Sequence, residues 1–152
     1  MRPMGYVIVQ IALLALFAAA FLAGGRPLLP AAVRGAAPLL LAAALVLVLA
    51  AAAAIGRHLR IQPAPGPAAP LVTRGVYRRF RHPMYTAVVL AVTGLFLARS
   101  TVAVGVAAAA LIGFFHLKAR REESLLAARH PDYRAYRRRT WGIIPGWPSR
   151  SE

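Results

Sequence analysis

The chain is 152 residues long, contains no cysteine, is 59% hydrophobic and carries a formal net charge of +15. That length suits one domain, the missing cysteines exclude a disulfide or a thiolate site within these residues, and an apolar share above the ~45–50% of soluble domains points to bilayer spans. The charge is not a nucleic-acid signature, because the arginines flank apolar stretches, where they set topology and meet anionic headgroups.

Residues 6–23, YVIVQIALLALFAAAFLA, carry no charge. As a helix this stretch rises about 27 Å, close to the ~30 Å hydrocarbon core. Arg2 before it and the small residues of FAAAFLAGG also fit a cleaved signal peptide. The apolar run exceeds the ~7–15 residues of a signal core, so a retained span is expected. Residues 38–55, PLLLAAALVLVLAAAAAI, form a second span of equal length. Residues 62–70, QPAPGPAAP, hold four prolines and read as an extended linker. Two shorter apolar stretches, 83–98 and 101–117, are joined by Arg99 and Ser100 alone, which predicts an antiparallel helical hairpin. Ala87, Ala91, Gly94 and Ala98 on the third span, and Gly105, Ala109 and Gly113 on the fourth, form small-residue stripes suited to close helix packing in lipid. After Leu117 the sequence turns basic and aromatic, as expected of an interfacial helix continuing from the fourth span and broken by Pro131.

The fold class that follows is all-α and polytopic, with four transmembrane helices and a C-terminal interfacial helix. Arg26, Arg34 and Arg99 lie in the first and third connections, whereas the second holds Arg57, Arg60, Arg74, Arg78, Arg79 and Arg81. The tail after Leu117 adds Lys118 and eight arginines. The positive-inside rule therefore puts the second connection and the C-terminus on the cytoplasmic side of an inner (cytoplasmic) membrane.

Two clusters stand out at that face: Thr73 to Tyr85 before the third span, and Arg120-Arg-Glu-Glu123 after the fourth. The hairpin makes them neighbours. The chain has four acids, and two of them, Glu122 and Glu123, are adjacent at a helix end. Acids there oppose the helix dipole, so helix stability does not explain them; they serve either as partners of Arg120 or Arg121 or as ligands for hydroxyls or a cation. His82, just before Pro83, sits at a helix N-terminus, where an anion or a water molecule would be its partner. His116, Arg120 and Glu123 fall on one helical face. His58 and His130 read as solvated, and the scattered histidines give no paired metal-ligand spacing.

GVYRRFRHPMY resembles the Gly-Pro-Tyr…Arg-His-Pro-x-Tyr motif of the isoprenylcysteine carboxyl methyltransferase and phospholipid methyltransferase families. REESLLAARHPDYRAYRRRTWGIIP resembles their Arg-x-Glu-Glu…Leu…Tyr-x-x-Tyr…Pro signature. The resemblance covers about residues 71–145 and departs from the pattern at Val76, at Ala87, and around His130-Pro131. It implies a membrane methyltransferase using S-adenosylmethionine, with a cofactor pocket at the cytoplasmic face. Tyr77, Arg81, His82, Pro83 and Tyr85 match the first motif, and Glu122, Glu123, Leu126, Tyr133 and Tyr136 match the second. By this resemblance those ten residues bind the cofactor, with Arg120 and Glu123 as the candidate catalytic pair and Arg120 or Arg137 steering an anionic substrate. The implied acceptor is a lipophilic molecule or a membrane lipid; the N-terminal half carries no signature, so the acceptor stays open. The competing readings are an NADPH-dependent membrane reductase akin to sterol reductases and a non-enzymatic membrane accessory protein.

Overall fold

The computed structural model describes residues 3–56 and 71–144; the proline-rich segment 62–70, Arg57, His58, Arg60 and Pro145 lie outside them. Among the described residues six α-helices follow one another: α1 (Pro3–Ala23), a single turn α2 (Ala31–Arg34), α3 (Ala37–Ile55), α4 (Pro83–Arg99), α5 (Val102–Arg129) and α6 (Tyr133–Arg139), with a 3-10 turn at Gly75–Arg78 before α4. No strand forms among the described residues; a single parallel bridge pairs Phe80 with Trp141.

The helix ends follow from local chemistry. α1 stops at Gly24 and Gly25, both at positive φ, and α3 stops at Gly56, φ +58°. Prolines open α3 and α4, where a missing N–H costs nothing. Thr101 caps α5 by accepting from the Val104 N–H at 3.4 Å. α5 then runs unbroken for 28 residues, through the change from apolar to basic sequence, and ends just before Pro131. The basic segment up to Arg129 is thus a direct extension of the fourth apolar helix, as its sequence predicts.

Among the described residues three stretches are long and apolar enough to cross a bilayer: Met4–Ala23, Ala31–Ile55 and Val102–Arg129. α4 is apolar but, at 17 residues, shorter, so the structure supports three spans by length where the sequence pattern suggests four. The α4–α5 hairpin lies at the centre, with α3 along α4 and α1 along α5. α3 and α4 approach closely at Gly94, where a side-chain carbon would lie 3.2 Å from the Ala37 carbonyl oxygen. The buried core is small and apolar, built on Phe17, Val92, Val104, Leu111 and Phe115. Ile8, Leu22, Leu39 and Val46 point outward, an apolar surface that hydrocarbon would solvate.

The end of the hairpin remote from the motifs is locked. Ser100, in the left-handed region at φ +45°, accepts from Leu28 N through its carbonyl (2.7 Å) and from Leu29 N through its hydroxyl (3.3 Å). Arg99 donates to the Phe21 carbonyl at 3.0 Å and covers the Phe21 ring, placing a cation on the C-terminal end of α1, where the helix dipole favours it. Fixing this end leaves the opposite end to present the charged clusters.

Candidate active site

The first cluster is folded by three attachments. Gly75 takes φ +58° to enter the 3-10 turn, and Arg74 donates to the Ala54 carbonyl at the end of α3. Phe80 pairs with Trp141: Arg81 N donates to Trp141 O at 2.9 Å, Trp141 N donates to Arg79 O at 2.8 Å, and the two rings meet edge-on. Thr86 donates to the Ile143 carbonyl at 2.8 Å. The segment after α6 thereby becomes a strap across the start of α4, and both motifs share one wall.

The acids of α5 then meet the basic residues before α4. Arg81 Nε reaches Glu123 Oε1 at 2.7 Å, while Arg81 Nη1 donates to the Thr140 carbonyl at 2.7 Å. His82 Nε2 lies 3.2 Å from the same Glu123 oxygen, and Arg137 Nε lies 3.2 Å from Oε2. Glu123 is therefore fully engaged. Glu122 is held more loosely: Tyr85 donates its hydroxyl to Oε1, and among the described residues Oε2 has only His82 Nδ1, at 3.8 Å. His82 faces one carboxylate with each ring nitrogen, and its ring stacks on Tyr85.

Three tyrosines close the outer side. Tyr136 donates to the Tyr77 carbonyl at 2.7 Å. Tyr133 is 1% exposed, and its hydroxyl has no hydrogen-bond partner among the described residues, an orphan that a buried polar atom rarely remains. Burial pushes the phenol of Tyr136 up to about 12 and those of Tyr77 and Tyr133 higher still, so all three are neutral donors at physiological pH.

The structure joins Arg81, His82, Tyr85, Glu122 and Glu123 directly and places Tyr77, Tyr133 and Tyr136 around them. Pro83 is buried at the start of α4, and Leu126 is half-buried one turn beyond Glu122. Arg120 and His116 are exposed; the arginine that joins Arg81 on Glu123 is Arg137. Sequence reasoning passed over Lys118, which is 4% exposed. It donates to Gln10 Oε1 at 2.7 Å and lies over the Tyr85 and Phe115 rings. The signal was present, since Lys118 is the one lysine among nineteen basic residues and Gln10 the one amide in an uncharged span.

Searches of curated proteins and of solved structures give no match. The family model for phospholipid methyltransferases matches residues 33–133. That stretch is 101 of the 152 residues; it carries Glu122 and Glu123 with the Arg81, His82 and Tyr85 that meet them, all of the apolar segment Val102–Arg129 and all but the first two residues of Ala31–Ile55. The chain belongs to the phospholipid methyltransferase family, a family of membrane methyltransferases.

Proposed function

We propose that the protein transfers a methyl group from S-adenosylmethionine to a lipophilic acceptor, such as a membrane lipid, at the cytoplasmic face of an inner membrane. One observation carries this reading: family motifs about 40 residues apart meet around a carboxylate, Glu122, whose Oε2 has no hydrogen bond among the described residues and only a 3.8 Å contact with His82 Nδ1.

The residues fit the cofactor. The orphaned Tyr133 hydroxyl is buried and the loosely held Oε2 of half-buried Glu122 can take a further hydrogen bond, and a cationic, hydroxyl-rich molecule supplies partners of both kinds. Glu122 would take the ammonium or the ribose hydroxyls. Arg81 or His82 would meet the carboxylate. The half-buried Tyr77 and Tyr136 offer ring faces for adenine or for a sulfonium, where a cation gains about 0.5–2 kcal/mol. Bound there, S-adenosylmethionine supplies an activated methyl, so the hard chemistry is the cofactor's. The protein's work is to orient an incoming nucleophile and exclude water. Glu123 fixes Arg81 and His82, and the strap from Thr140 to Ile143 holds Arg81 from the other side.

Membranes from expressing cells, supplied with methyl-tritiated S-adenosylmethionine, should yield label in the organic-solvent extract. Glu122→Gln should lower it ~100-fold, the scale of a misplaced reacting geometry. Equal labelling by wild type and by membranes lacking the protein would reject the reading.

A further inference from the structure

An ammonium inside an apolar bundle is costly unless it is paired. Lys118 has no carboxylate oxygen within ion-pairing distance among the described residues; its contacts are Gln10 Oε1 and the Tyr85 and Phe115 rings. A core would gain stability from a leucine at this position, so packing does not account for the lysine.

Its place is informative. Lys118 lies one helical turn from Glu122, on the apolar side of it, on the inward face shared by Phe115 and Ala119. Tyr85 is the common element: His82 stacks on it, Phe115 tilts against it, Lys118 lies over it, and its hydroxyl bonds Glu122. The polar residues of α1 repeat the arrangement, for Gln10 holds Lys118 and Tyr6, one turn earlier, lies under Arg121. On the reading above, the arginines and tyrosines of the tail side face water and a water-borne cofactor. The Lys118 side faces the membrane interior, from which a lipophilic acceptor arrives.

We infer that Lys118 is a positioning residue at the acceptor end of the site, held by Gln10, and that it sets the Tyr85 ring against the incoming acceptor. α1, which lies outside the matched family region, thereby takes part in turnover without touching the cofactor. The inference rests on the methyltransferase reading.

The test compares Lys118→Met, Lys118→Arg and Gln10→Leu with wild type in three measurements: S-adenosylhomocysteine affinity by calorimetry, melting temperature in detergent, and tritium transfer into solvent-extractable material in membranes. Lys118→Met should bind S-adenosylhomocysteine within ~3-fold of wild type and melt no lower, yet transfer methyl ~100-fold more slowly, the cost of a displaced reacting group. Lys118→Arg should recover part of the rate, and Gln10→Leu should fall between. Wild-type transfer by Lys118→Met, a parallel loss of S-adenosylhomocysteine affinity, or no recovery with arginine would each overturn the inference. A wild type that binds S-adenosylhomocysteine and labels nothing would instead remove the methyl-transfer reading, and this inference with it.

Discussion

Adjacent glutamates have opposite situations. Glu123 is held by Arg81, His82 and Arg137, whereas Glu122 has one phenol and a looser 3.8 Å contact with His82. Breaking a buried ion pair strands the remaining charge, so Glu123→Gln should destabilise the fold by ~3 kcal/mol. Glu122→Gln removes one hydrogen bond and should cost only ~1 kcal/mol, while impairing methyl transfer severely. Unfolding in detergent compares the two, and a larger stability loss at Glu122 would contradict this division. Gly142 offers a finer probe. A side-chain carbon there would lie 3.1 Å from Arg81 Nη2, the far end of a flexible side chain. Gly142→Ala should therefore displace the guanidinium at little cost to stability and weaken S-adenosylhomocysteine binding several-fold. An unchanged affinity by calorimetry would mean that Arg81 does not serve the cofactor. The two carboxylates were legible in the sequence as a pair, but their division of labour was not, because it depends on Arg137 arriving from α6 in place of Arg120.

At the scale of the elements, spacing alone announces the hairpin: two residues between apolar helices leave no other course, and α4 and α5 are joined by Ser100 and Thr101 as that requires. Glycines of the two small-residue stripes look alike in sequence and fare differently in the fold. At Gly94 an added carbon meets Ala37 O, Leu40 and Leu41 at 3.2 Å, whereas at Gly113 nothing lies within 4 Å. Gly94→Leu should force α3 from α4 and cost about 1–3 kcal/mol, as overpacking does, while Gly113→Leu should melt as wild type does. Equal melting of the two variants in detergent would refute the packing. Composition could not separate these stripes, since alanine and glycine recur throughout both helices and only the partner helix distinguishes them. The turn α2 and the strap that pairs Trp141 with Phe80 had no periodic signal, because each is defined by its contacts.

For the whole molecule, the basic second connection and tail argue for a cytoplasmic site. With no native cysteine, a single Ala135→Cys on exposed α6 and a single Ala32→Cys on α2 report topology cleanly. An impermeant maleimide applied to intact cells should label Cys at 32 and spare Cys at 135; the reverse would invert the orientation. The membrane character was legible in composition, and the site in two motifs joined by one hairpin. The contribution of α1 was not, because Gln10 acquires meaning only when α1 packs on α5 beside Lys118. The most direct test of the account is calorimetric titration of the purified protein in detergent with S-adenosylhomocysteine, with NADPH in parallel. The account predicts saturable S-adenosylhomocysteine binding, abolished in His82→Ala and Glu123→Ala, and no heat from NADPH. Binding of NADPH alone, or of neither ligand by folded protein, would contradict it.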